Sequence, residues 1–136
     1  MIAPLQRALI AAELPVLRAH GLSMWGYVVL SALDGQPVRT QAALAEVIGA
    51  DKSRIIGVLD ELEGSGLLQR TRDSADRRAR LLAVTDEGRR KHRAIQADIQ
   101  RNEERVLARL PLADREAFLR ALVALSALPA TEIAGE

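Results

Sequence analysis

Apolar residues recur at helical spacing along most of this chain, and one central stretch breaks that spacing with two short apolar-rich runs around a charged tip. Over 5–18, Leu5, Leu9, Ala12 and Val16 repeat at intervals of three and four. Pro4 suits a first-turn position, so the segment predicts an amphipathic helix. Gly21 ends it, and Ser23 is placed to cap a second helix over 24–33 with the apolar series Trp25, Val28, Val29, Ala32 and Leu33. Asp34-Gly35-Gln36-Pro37 reads as a turn. Thr40 caps a third helix over about 41–48 that turns Leu44, Val47 and Ile48 inward, and Gly49 supplies a left-handed residue at its end.

Asp51 caps the next helix almost at once. Over 52–64 it sets Ile55, Leu59 and Leu62 on one stripe and leaves Ser53, Ile56, Gly57 and Asp60 on the other face. Gly64-Ser65-Gly66 closes this helix, and the runs 67–72 and 79–84 flank a polar, basic tip at 73–78, which predicts two short strands joined by a charged hairpin. Thr85 caps a long helix over about 86–108, Pro111 marks a break, and a last helix over about 114–127 carries Ala117, Ala121, Leu122, Leu125 and the flanking Leu128. Residues 129–136 are expected to fray.

Composition sharpens this picture. At 136 residues the chain has room for one compact domain, and its 23 alanines and 21 leucines against three aromatics (Trp25, Tyr27, Phe118) favour packed helices over a sandwich or barrel. The expected class is mainly α with a small two-stranded β-wing. The absence of cysteine removes disulfides, thiolate zinc sites and thiol nucleophiles. Pro4, Arg7 and Glu13 interrupt the apolar N-terminus before it could form a signal or spanning segment, which gives a cytoplasmic expectation with no membrane partner.

Charge is unevenly spread. The net +1 conceals a value of +5 over residues 70–93, where nine basic residues face four acidic ones. A concentrated basic patch matters more to an anionic partner than the total does. Two short helices joined by Gly49-Ala50-Asp51 and followed by a hairpin make a helix-turn-helix with a wing, and the second helix of such a pair fits the major groove of DNA. Its first turn would offer Lys52, Ser53 and Arg54 to phosphates and base edges, with Arg54 best placed to read a base. The hairpin tip offers Arg77 and Arg78 to a narrow minor groove, with Asp76 able to hold one of them. The run Arg89-Arg90-Lys91-His92-Arg93 reads as a solvated helix face.

The run from Gly21 to Leu30, the segment from Ala50 to Leu67, and Asp76-Arg77-Arg78 leading to Val84-Thr85-Asp86-Glu87-Gly88 together resemble the MarR (multiple antibiotic resistance regulator) family of bacterial winged-helix transcription factors. The resemblance covers essentially the whole chain. It implies one domain over 1–136, with 5–33 and 86–128 forming a helical dimerisation and linker region and 34–85 forming the winged helix-turn-helix lobe. It further implies a homodimer whose first, fifth and sixth helices intertwine, acting most simply as a repressor on a palindromic operator in double-stranded DNA. By the same resemblance Ser53 and Arg54 fall on recognition-helix positions that meet DNA, and Asp76 and Arg78 on a wing pair in which the carboxylate steadies a minor-groove arginine; with the first-turn Lys52, the outer-face Ile56 and Gly57 and the wing-tip Arg77 they make up the candidate DNA-binding set. A small aromatic or lipophilic effector is implied in a cleft bordered by His20, Met24, Trp25 and Tyr27. An equal alternative makes Trp25 and Tyr27 core aromatics and His20 a surface residue at a helix end.

Gly57 and Glu61 depart from the family pattern, which often has basic residues there. Gly57 either lets the backbone approach DNA or is a weak helical position. Ala113 stands where a capping Ser or Thr is usual, with Asp114 a substitute one residue later. A winged-helix module that binds protein instead of DNA is the alternative function, since fold does not fix function. Catalysis is not expected, because no phosphate-binding glycine loop, nucleophile elbow or clustered acid–base pair occurs. His20 and His92 share no ligand spacing, so neither a metal nor a cofactor is expected.

Overall fold

The computed structural model describes residues 1–35, 38–76 and 78–135, and of Val38 and Arg39 the backbone only. Its helices are α1 (Ile2–Ala19), α2 (Met24–Asp34), α3 (Gln41–Ile48), α4 (Lys52–Gly64), α5 (Asp86–Leu107), α6 (Leu112–Ser126) and α7 (Ala130–Ala134), with strands β1 (Val38–Thr40), β2 (Leu68–Arg72) and β3 (Arg80–Val84). The chain divides into two compact units, residues 1–99 and 100–136.

Capping chemistry sets the boundaries in the first unit. Ser23 accepts the Gly26 N–H at 3.0 Å, Thr40 the Ala43 N–H at 3.2 Å and Asp51 the Arg54 N–H at 2.8 Å. Each satisfies a first-turn donor that has no intrahelical partner. Gly49 takes φ 67°, a left-handed conformation that ends α3 and lets α4 begin three residues later.

Strands β2 and β3 form the expected antiparallel hairpin, pairing Leu68 with Val84 through to Arg72 with Arg80. The short β1 adds to the other edge of β3, with Val38 opposite Ala83 and Thr40 opposite Leu81, giving the order β1-β3-β2. This third strand adds to the two expected, and its three residues are too few for an alternating pattern to announce it. Of the turn expected at 34–37, Gln36 and Pro37 lie outside the described residues.

The core gathers around α2. Val29, Leu30 and Leu33 meet Leu17 of α1, Leu44 of α3, the Ile55, Leu59 and Leu62 stripe of α4, Leu82 of β3 and Ile95 of α5, all at 2% exposure or less. Full burial of each such side chain is worth about 1.5–3 kcal/mol. The inner stripe of α2 runs Gly26, Val29, Leu30, Leu33, so Trp25, Val28 and Ala32 are only partly covered. In α3 the inner stripe runs Gln41, Leu44, Ala45, Ile48. Val47, expected inside, falls about 100° from Ile48 and is 62% exposed.

In the second unit, Pro111 occupies the cap position of α6 without a side-chain bond, and the helix begins at Leu112. Asp114 therefore sits within the first turn as a favourable charge rather than serving as the cap. Residues 130–134 form α7 where fraying was expected, with Pro129 before it and Gly135 closing it at φ 77°. No residue of α6 is buried, and Leu122, Val123 and Leu125 are 48–70% exposed.

Candidate nucleic-acid interface

Helix α4 presents its Ile55, Leu59 and Leu62 edge to the core, which turns Lys52, Ser53, Arg54, Ile56 and Gly57 outward, all of them exposed. Asp51, Ser53, Arg54, Gly57, Val58 and Glu61 line an open groove along this face. A Cβ on Gly57 would meet nothing within 4 Å, so no contact inside the chain requires glycine there.

Asp51 braces the start of α4 twice. Its Oδ1 accepts the Arg54 N–H and the Ser53 hydroxyl, each at 2.8 Å. The Arg54 amide first, and the Ser53 hydroxyl second, hold the Asp51 carboxyl below its usual range. Ser53 thereby commits its one donor to Asp51. Arg54 extends toward α2, where its guanidinium carbon lies 5.4 Å from the centroid of the Trp25 ring.

Three charges beside this face pair with one another. Arg70 of β2 reaches Asp60 at 2.5 Å and Glu63 at 3.1 Å, and its backbone N–H also donates to Glu63. This clamp ties the outer edge of α4 to the wing, and the Arg70 guanidinium lowers the Glu63 carboxyl below its usual range.

At the wing tip, Asp73 Oδ1 accepts the Ala75 N–H at 2.9 Å and Asp76 Oδ1 the Arg78 N–H at 3.0 Å. Asp76 thus steadies Arg78 through its backbone. Arg78 itself is exposed, and Arg77 lies outside the described residues. The wing base is fastened by Thr85, whose hydroxyl donates to the Gly66 carbonyl at 2.7 Å and accepts the Gly88 N–H at 3.0 Å. The Thr85 N–H donates to Leu67 O at 3.1 Å. One residue joins the end of α4, the wing and the start of α5.

The four residues expected around a ligand cleft separate into different surroundings. His20 Nε2 lies 2.8 Å from Asp98 of α5, and its carbonyl accepts from Lys91 at 2.9 Å. Met24 packs at the core edge. Tyr27 stacks on His92, centroids 5.4 Å apart, whereas Trp25 meets Arg54. Two residues on a helix are about 200° apart, so the two aromatics point to opposite sides of α2.

His92 departs from the solvated face expected over 89–93. It is 4% exposed, its Nε2 lies 3.0 Å from Ser31 Oγ, and its Nδ1 has no hydrogen-bond partner among the described residues. Lys91 and Arg89 are also partly covered, the latter donating to Val84 O at 3.1 Å, while Arg90 and Arg93 are exposed. The spacing Gly88, His92, Ile95, Ile99 places His92 on the inner stripe of α5, and that spacing was available in the sequence. With Leu30, Leu33, Asp34, Val84 and Arg89 it lines a small cavity. Among the described residues no group of three His, Asp or Glu could hold a metal ion.

Comparison with family profiles matches residues 22–79 to the MarR family. The transcriptional repressor CouR, solved bound to a 23-mer DNA duplex, is 30% identical and superposes with a TM-score of 0.77 over 92% of this chain and 89% of its own. The chain belongs to the MarR family. The PcaV transcriptional regulator of Streptomyces coelicolor, solved in complex with its natural ligand, is 32% identical with a TM-score of 0.66, covering 90% of this chain and 89% of its own. A Thauera aromatica transcriptional regulatory protein named for the hcr operon is 30% identical over 100 residues, 74% of this chain. The aligned part spans 60% of that protein's length. MarR-family membership accounts for the winged helix-turn-helix in the first unit, and it places the chain among transcriptional regulators, not enzymes.

Proposed function

We propose that this chain is a sequence-specific DNA-binding repressor that acts as a homodimer on a palindromic operator in the bacterial cytoplasm and is released by a small aromatic or lipophilic effector. The observation that carries the reading is the outward face of α4. It sets Lys52, Ser53, Arg54, Ile56 and Gly57 in the open beside a braced wing whose Arg78 is exposed. Similarity to CouR, which was solved on DNA, supports it.

The recognition helix would enter the major groove with Arg54 at base edges and Lys52 on phosphate, while Arg78, with Arg77 and the Asp76 turn, would reach the minor groove. While its hydroxyl proton is given to Asp51, Ser53 can accept from a base amino group but cannot donate to a phosphate unless it leaves Asp51. A second copy of the chain would cover the apolar residues that α6 exposes and, separately, Ile2, Leu5, Ile10 and Leu14 of α1. No helix among the described residues is long and apolar enough to cross a membrane.

Effector release needs a ligand that binds the form unable to hold DNA more tightly than the form that holds it. Of the four residues expected there, His20, Met24 and Tyr27 are offered to it while Trp25 meets Arg54, and similarity to PcaV, solved with its natural ligand, supports such a site. The DNA assignment is tested by fluorescence anisotropy on a duplex enriched by the protein from random DNA. Arg78→Ala should weaken binding and lower the salt slope by about one, whereas Arg54→Ala should also change the preferred sequence. Both variants binding every duplex as the parent does would remove the assignment.

A further inference from the structure

The Arg54 side chain is held by a residue of another helix, and that residue has no part in the DNA face as assigned so far. We propose that Trp25 is a positioning residue for DNA recognition, its indole serving as the platform that holds the Arg54 guanidinium ready to read a base. This rests on the assignment of Arg54 to the DNA interface.

Three observations meet at this pair. Asp51 fixes the backbone at the first turn of α4 by accepting the Arg54 N–H, so the point from which the side chain springs is set. The guanidinium carbon then lies 5.4 Å over the Trp25 ring, within the range in which a cation is attracted to an aromatic face. Trp25 is only partly covered and points away from the Tyr27–His92 stack, so neither the core nor that stack accounts for its direction.

An aromatic face attracts a guanidinium without using any of its five N–H donors as hydrogen bonds, so these remain available to a guanine edge or a phosphate. An unsupported arginine would sample many rotamers and lose that freedom on binding. One already resting on a ring loses less, and the difference appears as affinity and as discrimination at the base it reads. At a partly exposed pair the contact is worth about two- to fivefold in binding.

The test is a double-mutant cycle read by anisotropy on the duplex enriched by the parent protein, with thermal melts of each variant. Trp25→Leu should weaken binding about two- to fivefold and flatten the base preference that Arg54→Ala also flattens. Trp25→Phe should restore much of the loss. In the Arg54→Ala background Trp25→Leu should cost nothing further. An equal cost in both backgrounds, or none in either, would overturn the proposal. If Arg54→Ala alone leaves affinity and preference unchanged, the DNA role of Arg54 fails, and the platform fails with it. A readout on the free protein guards against a poorly folded Trp25→Leu. Trp25 is the only tryptophan, so Arg54→Ala should change the emission of the folded chain, and an unchanged spectrum would remove the contact.

Discussion

Gly88 in the first turn of α5 lies against the backbone carbonyl of Leu67, so near that a Cβ at position 88 would overlap the Leu67 oxygen and sit 2.8 Å from Val84 Cγ1. Neither the carbonyl nor the strand end can move without unfastening Thr85 from Gly66 and Leu67. Gly88→Ala should therefore destabilise the protein by about 3 kcal/mol, even though alanine is the better helix former. A denaturation midpoint equal to that of the parent would show that the wing base is not fastened as described.

Gly57 is the opposite case. With nothing within 4 Å of its Cβ position, Gly57→Ala should stabilise the chain by about 0.5–1 kcal/mol through helix propensity alone. It should at the same time weaken binding to the enriched duplex, because the added methyl stands on the face assigned to DNA. Stabilisation without any loss of binding would mean that the groove is not approached closely there.

The contrast shows what the sequence carried and what it did not. The caps Ser23, Thr40 and Asp51, the left-handed Gly49 and the α4 stripe were legible because each rests on neighbours within a few residues, and the β2–β3 hairpin because two apolar-rich runs flank one short polar tip. The reason for Thr-x-x-Gly at 85–88 was not, since it lies in the Leu67 carbonyl, about twenty positions away. His92 was hidden by its charged neighbours, although its spacing from Ile95 and Ile99 marked it as interior. The pairing of Trp25 with Arg54, and of Tyr27 with His92, joins helices distant in sequence. Only the packed structure shows that two aromatics two residues apart serve different sides of α2.

Buried His92 makes stability depend on pH. Burial pushes its pKa below the ordinary 6.5, Asp34 on α2 opposes this and Arg93 adds to it, with Tyr27, Ser31 and Arg89 completing its surroundings. The unfolded chain takes up a proton near pH 6.5 that the folded chain refuses. Stability is therefore whole above that value and declines as pH falls toward the lowered folded pKa. The melting temperature should drop as pH falls below about 6.5, and His92→Gln should flatten the drop. Asp51 and Glu63, held low by their partners, lose their contributions only at more acid pH. An identical slope in the variant would assign the dependence elsewhere.

The exposed apolar residues of α6 give the dimer its test. Leu122→Glu places a charge among Leu119, Val123 and Leu125 on a helix that has no buried residue of its own. Sedimentation should show a dimeric parent and a variant shifted toward monomer, with DNA binding lost in proportion. A parent that sediments as a monomer at all concentrations would contradict the assembly.

The most direct measurement is selection of random double-stranded DNA on the purified protein, followed by titration of the enriched duplex at two salt concentrations. The account predicts an inverted repeat with half-sites about one turn apart, roughly 34 Å, bound by two chains and far more tightly than random duplex, with affinity falling steeply as salt rises. Recovery of no motif, with only weak salt-sensitive binding to all sequences, would contradict the claim that α4 and the wing read DNA.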